Sequence, residues 1–286
     1  MLAPEALSLE ACYRVCRDVA RLNSKTFHLS SLCLAPDKRR AVWAVYAFCR
    51  TADDIADSAM AAAERLRALD GCERALRAAY EGCAGQPTFV ALADAVARYD
   101  IPLQPALDLL RGARMDVVAR RYETHDELRD YCYLVASTVG LLVLPILGAL
   151  TPEAAPYGVT LGYAMQMTNI LRDVGEDARM GRVYLPADDV RRAGCSDEAI
   201  FAGRVDDAFV RLMRYQIERV RRLYAQAEPG VALLAPESRY AVRLALTLYR
   251  GILDRIEENG YDVFTRRAHV PLRAKMLTAL TVRFAR

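Results

Sequence analysis

Apolar residues recur at helical spacing along nearly the whole 286-residue chain, and this period limits the folds open to it. The pattern predicts ten helices, several with proline near the first turn and glycine just after the last. They cover residues 9–22, 37–57, 61–83, 89–99, 102–120, 126–150, 152–177, 206–227, 236–258 and 271–284. Convincing strand alternation between hairpin turns is missing from the sequence. We therefore expect an all-α fold.

The sequence contains no internal repeat and no low-complexity linker that would divide the chain. Its longest stretch without helical period, residues 178–203, is rich in Gly, Arg, Asp and Pro and is too short to separate two domains. Apolar residues make up 53% of the chain and charged residues 26%, an ordinary globular balance. The sequence predicts one α-domain over residues 1–286, with residues 178–203 as a loop of functional interest.

Charge and cysteine content exclude several classes of partner. The formal net charge of +3 is too small to predict nucleic-acid binding, although it is compatible with an anionic ligand or a loose membrane contact. The eight cysteines form no CxxC pair and only three histidines accompany them, so a zinc site is not expected. Without a recognisable signal peptide, the chain is expected in a reducing cytoplasm and not to be secreted.

Residues 131–152 form a run of 22 positions without a charged side chain, nominally enough to span a bilayer. The run contains polar and small residues, among them Ser137, Thr138, Gly140 and Pro145. Its strongly apolar part, residues 139–150, is shorter than the ~20 residues that a span needs. A buried core helix is favoured over a transmembrane helix.

The first of two acidic clusters ends the predicted helix at 37–57. Each helical residue advances about 100°, so Asp57 falls about 40° and Arg50 about 60° from Asp53. Tyr46 and Trp43 continue this face towards the N-terminus, at about 20° and about 80°. The face runs from aromatic rings through a guanidinium to two carboxylates. Taken alone, it is equally typical of a solvated helix surface.

The second acidic cluster lies in the predicted helix at 152–177. Asp173 and Asp177 fall about 40° and about 80° from Asn169, and Gln166 extends the same face. Asn169 and Asp173 stand within the apolar context of residues 165–171, where a buried carboxylate needs a partner or a metal. This context favours a ligand site over a solvated face.

Mg²⁺ takes oxygen ligands, usually one or two carboxylates with phosphate oxygens and water. Carboxylates at i and i+4 point the same way, so one helix can offer two of them. Two such helices facing each other would repel unless cations neutralised them. Mg²⁺ ions and a diphosphate would complete this charge balance, and the ions would stabilise a departing diphosphate.

Five stretches occur together in a characteristic order: SKTF at 24–27, YAFCRTADDIAD at 46–57, YCYLVASTVG at 131–140, QMTNILRDVGED at 166–177 and GRVYLP at 181–186. With them the chain resembles the squalene/phytoene synthase family over almost its whole length. Stretches 24–27, 181–186 and 259–267 resemble its bacterial phytoene-forming branch most closely. The resemblance implies a single-domain isoprenoid synthase fold with a central hydrophobic cavity and two Asp-rich helices at its mouth.

The resemblance also implies roles for individual side chains. The implied Mg²⁺–diphosphate ligands are Asp53, Asp57, Asn169, Asp173 and Asp177, the four aspartates also counting as catalytic. The implied diphosphate contacts are Ser24, Lys25, Arg50 and Arg172, with Arg182 and Tyr184 on a flap over the second diphosphate. Tyr131 and Tyr249 would lie near the reacting carbons, and Gln166 and Val135 would line the prenyl channel. Singly, each has an ordinary alternative: a helix cap for Ser24, a core position for either tyrosine, a surface charge for Lys25 or Arg172.

The implied reaction joins two molecules of geranylgeranyl diphosphate head to head, through a cyclopropyl diphosphate, into phytoene for carotenoid biosynthesis. The implied cofactor is Mg²⁺, with Mn²⁺ as an alternative and no NADPH. One alternative is a C30 synthase that converts farnesyl diphosphate into presqualene diphosphate, dehydrosqualene or squalene. Another is a non-catalytic assembly factor, disfavoured because both acidic motifs keep their aspartates. We expect no nucleic-acid partner, a peripheral membrane contact and contact with a downstream desaturase.

Overall fold

The structure is a computed structural model that describes residues 8–118 and 121–284. Fourteen α-helices account for most of these residues. They are α1 (Leu9–Asn23), α2 (Lys25–Ser31), α3 (Pro36–Ala56), α4 (Ala62–Tyr80), α5 (Pro87–Tyr99), α6 (Leu103–Val118), α7 (His125–Cys132), α8 (Thr138–Leu147), α9 (Ala154–Arg179), α10 (Ala187–Arg192), α11 (Asp197–Phe201), α12 (Asp207–Ala227), α13 (Pro236–Glu258) and α14 (Leu272–Phe284). Within the described ranges β-type pairing is limited to two isolated bridges, so the prediction of an all-α fold is confirmed.

Three local features differ from the predicted helices. The helix predicted at 126–150 is two helices, α7 and α8, joined by a π-helical turn at Tyr133–Ser137. The short helix α2 begins directly after Ser24, where no helix was predicted. The stretch 178–203, predicted to be irregular, contains α10 and α11.

The helices α10 and α11 have six and five residues, too few to display a helical period in the sequence. Capping starts α11, because the Ser196 Oγ accepts a hydrogen bond from the Ala199 amide at 3.2 Å. Asp197 and Glu198 stand in its first turn, where the helix dipole favours negative charge. The helix predicted at 102–120 is α6 up to Val118, and residues 119 and 120 lie outside the described residues.

Two apolar clusters form the core. The first draws mainly on α1, α3, α5 and α6, and Phe48 and Phe89 are among its fully buried side chains. The second draws on α9, α12 and α13, and includes Phe209 and Tyr224. Helix α3 therefore belongs to the first cluster and α9 to the second. All eight cysteines lie in the described ranges, and none of them forms a disulfide.

The uncharged run packs against α9 at very short range. A Cβ atom at Gly162 of α9 would lie 2.6 Å from the carbonyl oxygen of Ala136, so only glycine permits this approach. His125–Leu147 is the one described helical run long and apolar enough to cross a membrane, with 33% of its apolar window buried. Leu142 and Ile146 of α8 are nevertheless almost fully buried in the first cluster. This side of α8 is packed as a core helix.

Candidate functional site

Five aspartates lie at or near the C-terminal ends of three helices. Asp53 lies in the last turn of α3 and Asp57 directly follows it, Asp116 lies near the end of α6, and Asp173 and Asp177 lie in the last two turns of α9. We call these five residues the acidic cluster. The C-terminus of a helix carries partial negative charge and favours cations. Neither α3 nor α6 has a basic residue in its last turn, so these carboxylates add to the negative charge.

The loop that follows α9 connects the three helix ends. The Arg182 guanidinium donates to the Asp57 carboxylate at 2.8 Å and to the Asp116 carbonyl oxygen at 3.5 Å. The Tyr184 hydroxyl donates to the Asp116 carboxylate at 2.9 Å. Arg182 and Tyr184, predicted to lie on a flap, therefore hold the ends of α3 and α6 beside the end of α9.

The carboxylates of the acidic cluster disfavour each other's charge. Burial, then the neighbouring Asp116 and Asp57, raise the pKa of Asp53 to about 7 against a lowering by Arg50. Burial, then Asp173, raise the pKa of Asp177 to about 7, and burial is the main cause that raises the pKa of Asp116 to about 6. Solvent reaches the Asp53 side chain although protein atoms crowd it closely. Both observations fit a side chain that faces a recess.

Arginines supply part of the missing positive charge. Asp173 accepts hydrogen bonds from Arg172 and from Arg267, the latter at 2.9 Å. Burial alone would raise the pKa of Asp173, but these two guanidinium groups lower it below its ordinary value. Arg50 pairs instead with Asp54, one turn on along α3 and off the face of Asp53. Asp173 and Asp57 thus have cationic partners, whereas nearby arginines balance less of the negative charge of Asp53 and Asp177.

The donor set fits a hard cation. The Asn169 Oδ1 atom is buried without a hydrogen-bond partner, while its amide nitrogen donates to the Gln166 side chain at 3.5 Å. A buried carbonyl oxygen without a partner, one helical turn before the Asp173 carboxylate, is the kind of ligand that Mg²⁺ takes. Across the described residues, no three His, Cys, Asp or Glu side chains lie close enough together to hold one ion.

Asp116 was not predicted, yet it organises the aromatic side of the site. Its carboxylate accepts hydrogen bonds from the hydroxyls of Tyr131, at 2.8 Å, and Tyr184, at 2.9 Å. The two rings stack with centroids 5.5 Å apart, and Tyr122 lies 5.1 Å from Tyr131. The signal in the sequence was weak: one acidic residue between Met115 and Val117 on an otherwise apolar helix face.

Three of the remaining predicted site residues are Ser24, Lys25 and Tyr249. Ser24 caps α2, its hydroxyl accepting from the Phe27 amide at 3.3 Å, so its ordinary alternative is present in the structure. Lys25 is exposed beside it. Tyr249 of α13 is half-buried and lies within electrostatic range of Tyr46 and of Arg172.

Val135 lies in the π turn and touches α6, since a Cβ atom at Gly112 would come within 2.6 Å of its side chain. Gln166 and Asn169 share one face of α9, as helical geometry predicts. A π turn is often found at functional sites because it shifts the register of side chains along a helix. Here it lies between Tyr131 and the rest of the uncharged run.

Comparison with known proteins defines the class. The family model described as squalene/phytoene synthase matches residues 20–274 of the chain. The chain belongs to the squalene/phytoene synthase family. Two solved structures share its fold: a dehydrosqualene synthase in complex with a ligand, at 32% identity, 96% coverage of both chains and a TM-score of 0.91, and a squalene synthase from Alicyclobacillus acidocaldarius, at 32% identity, 90% and 97% coverage and a TM-score of 0.82. The fold is that of the isoprenoid synthases.

Similar sequences narrow the class to one branch. The chain is 43% identical over 278 residues to the phytoene synthase of Arthrospira platensis, covering 93% of this chain and 90% of that protein. It is 45% identical over 284 residues to phytoene synthase 2 (chloroplastic) of Solanum lycopersicum, covering 97% and 91%. It is 41% identical over 281 residues to the 15-cis-phytoene synthase of Synechococcus elongatus, covering 94% and 91%. The chain is a prenyltransferase of the phytoene synthase type.

Proposed function

We propose that the chain joins two molecules of geranylgeranyl diphosphate head to head into phytoene, through a cyclopropyl diphosphate and with release of two diphosphates. The observation that carries this function is the identity of 41% to 45% with phytoene synthases over at least 93% of the chain. The whole chain acts as one catalytic domain, because both apolar clusters contribute a helix to the acidic cluster.

The acidic cluster would hold the metal and the diphosphate. Asp53 and Asp57 on one side, and Asn169, Asp173 and Asp177 on the other, would bind Mg²⁺ ions, with Mn²⁺ as an alternative. The bound ions would act as Lewis acids that stabilise the departing diphosphate. The raised pKa values of Asp53 and Asp177 support this assignment, because a bound cation would offset both of their causes, burial first and the neighbouring carboxylates second.

Cationic and hydroxyl side chains around the cluster would bind the diphosphate oxygens. We assign this role to Ser24, Lys25, Arg50, Arg172, Arg182 and Tyr184. Arg182 now pairs with Asp57, and it would turn towards the phosphate oxygens as cations take over that carboxylate. Because the guanidinium offers a planar set of donors, it can bind carboxylate and phosphate in the same geometry.

Aromatic rings would protect the allylic cation. Tyr131 and Tyr249 would present their faces to the positive charge, which aromatic quadrupoles attract. Asp116 would fix the Tyr131 ring through its hydroxyl, and Gln166 and Val135 would line the channel for the prenyl tails. Exclusion of water along this apolar wall would keep the cation from being hydrolysed.

The small residues of α2 support a C20 substrate. Ser31 is 3% exposed, and its hydroxyl accepts a hydrogen bond from the Trp43 indole at 2.8 Å. The serine side chain takes up much less room beside Trp43 than an aromatic side chain would. Ser31→Phe should therefore shorten the space for a tail and raise the kcat/KM ratio for the C15 over the C20 diphosphate. An unchanged ratio would mean that Ser31 does not limit chain length.

The test of the function is product analysis after incubation with Mg²⁺ and either geranylgeranyl or farnesyl diphosphate, with and without NADPH. We expect phytoene from the C20 substrate without NADPH, and a kcat/KM ratio that favours C20 over C15. Some C15 turnover is expected, since each methylene contributes only ~0.8 kcal/mol of apolar contact. A preference for C15, or a hydrocarbon released only with NADPH, would replace this function with the C30 alternative.

The cellular setting follows from the chemistry of substrate and product. We propose a cytoplasmic enzyme that associates peripherally with a membrane, because both prenyl tails and the hydrocarbon product are lipids. Contact with a downstream desaturase would pass the product on without release into water. Sedimentation of the native protein with and without membranes tests the first part, and a fully unbound protein would contradict it.

A further inference from the structure

Helix α14 presents an apolar face to solvent. Leu272, Met276, Leu277 and Leu280 are exposed by 58% to 68% each. Helical geometry places them within one arc of about 140°, together with Arg273. Ala274, Lys275, Ala279 and Val282 occupy the opposite arc, which packs towards the protein. The outward face is therefore unpartnered within the described residues.

The charge of the segment that contains α14 has one sign. From residue 263 to residue 286 the sequence has six Lys and Arg residues and no Asp or Glu. The basic residues are Arg266, Arg267, Arg273, Lys275, Arg283 and Arg286. Apolar side chains flanked by basic ones on an exposed helix are the composition that binds an anionic lipid surface.

Two contacts tie α14 and the segment before it to the region of the predicted site. The Lys275 ammonium of α14 donates to the Thr26 hydroxyl of α2 at 2.8 Å. Thr26 lies one residue after Lys25 and two residues after Ser24. Arg267, five residues before α14, donates to Asp173 at 2.9 Å. Asp173 belongs to the acidic cluster and Thr26 directly follows Lys25, so α14 lies near residues assigned to the diphosphate site.

A second apolar surface lacks the charge. A groove of about 650 Å³ lies between the α5–α6 connection and the α8–α9 connection, and Pro105, Leu144, Pro145 and Leu150 are among its lining residues. The described residues that line it include no Lys or Arg. An anionic surface would gain apolar contact there but no electrostatic attraction, so charge distinguishes α14 from the groove.

We propose that α14 is the surface through which the protein docks on a bilayer containing anionic lipids, with the outward leucines and Met276 among the acyl chains. This inference rests on the proposed function, since a membrane-held α14 would place the diphosphate site at the level where prenyl diphosphates reside. Arg273 contributes attraction to the lipid phosphates, and the four apolar side chains contribute burial.

The experiment is flotation of the full chain with vesicles of phosphatidylcholine alone or mixed with phosphatidylglycerol. Leu280→Glu should lower the partition coefficient on the mixed vesicles about tenfold or more, because it removes a leucine that would be buried in the bilayer and adds an anion. Arg273→Gln should lower it about fivefold on the mixed vesicles and leave binding to phosphatidylcholine unchanged. The matched control is Leu150→Glu in the groove, since Leu150 and Leu280 are each 58% exposed, and it should bind as the unaltered chain does.

Three results would overturn the proposal. They are equal binding by the Leu280→Glu variant, loss of binding in Leu150→Glu instead, and a lipid-free dimer that Leu280→Glu dissociates, which would assign the face to a second copy of the chain. Activity on detergent-dispersed substrate provides the separate readout: Leu280→Glu should retain it. Vesicle binding without phytoene formation would refute the function alone, and phytoene formation without vesicle binding would refute the docking surface alone.

Discussion

The buried Asp189 and the partly exposed acidic cluster have opposite environments in this molecule. Asp189 of α10, with 1% of its side chain exposed, accepts hydrogen bonds from Arg192 at 2.7 Å, Gln216 at 2.9 Å and Arg219 at 2.7 Å. His125 completes the network by contacting Arg219 at 2.9 Å. The protein itself satisfies every oxygen of this carboxylate.

The carboxylates of the acidic cluster are less fully satisfied by protein partners. Asp53 and Asp177 have pKa values raised to about 7, with burial as the largest cause and neighbouring carboxylates adding to it. Protein partners complete the Asp189 network, which is what a structural ion pair requires. The acidic cluster leaves part of its negative charge uncompensated, which stability alone would not favour. The difference fits a structural role for the Asp189 network and supports the proposal that the acidic cluster binds cations.

The largest expected effect is on stability, at the Asp189 network. Asp189→Asn should lower the free energy of unfolding by about 3–5 kcal/mol, because it leaves Arg219 with an uncompensated buried charge. Denaturant unfolding measures this, and the folded fraction should keep its kcat. The control is Asp188→Asn, a partly exposed neighbour whose pair with Arg192 spans 3.8 Å, where the loss should stay within about 1 kcal/mol. Equal losses for both variants would remove the contrast.

The second prediction reverses that pattern at the acidic cluster. Asp53→Asn should lower kcat about a hundredfold or more, the scale on which removal of one group that stabilises transition-state charge acts. Its melting temperature should stay level or rise, since the substitution removes a repelling carboxylate. Steady-state kinetics and thermal unfolding together make the test. An active variant, or one that unfolds early, would contradict the assignment.

The third prediction concerns Asp116, which shares features of both groups. Asp116→Leu should lower kcat about tenfold to a hundredfold, the usual cost of losing a residue that orients a catalytic group. Tyr131→Phe should lower it too, and the double variant should resemble the single ones because both remove the hydrogen bond between Tyr131 and Asp116. Additive losses would show that Asp116 acts independently of Tyr131.

The smallest effect is on pH dependence. Aspartates with raised pKa values keep protons in the folded state that the unfolded chain releases from about pH 4 upwards. Without metal, stability should therefore fall as the pH rises to about 7 and level off above it, through the pKa of about 7 of Asp53 and Asp177. The slope should shrink in Asp53→Asn and persist in Asp189→Asn. A slope equal in both variants would assign the titration elsewhere.

Sequence reasoning reached the parts of the site that share one helix. Asp53 with Asp57, and Asn169 with Asp173, repeat at helical spacing, so their common faces follow from geometry alone. Asp116 was not predicted because its partners, Tyr131 and Tyr184, are 15 and 68 residues away in the chain, and no local sequence pattern links them.

The Asp189 network escaped for a related reason. Its residue lies in α10, within a stretch predicted to be irregular, and its partners Gln216 and Arg219 are 27 and 30 residues away. Long helices can be predicted from the period of their apolar residues, whereas short capped helices and contacts between helices depend on tertiary packing. The sequence therefore predicted the ten longest helical regions but not the short helices and side-chain contacts that connect them.

The most direct test of the account is thermal unfolding with Mg²⁺ and inorganic pyrophosphate, added singly and together. We expect a marked rise in melting temperature only when both are present, because bound ions would contact the carboxylates of α3 and α9 as well as the phosphate oxygens. The rise should be lost in both Asp53→Asn and Asp173→Asn and retained in Asp188→Asn. No rise in the unaltered chain, or the same rise in all three variants, would contradict the claim that the acidic cluster is the metal–diphosphate site.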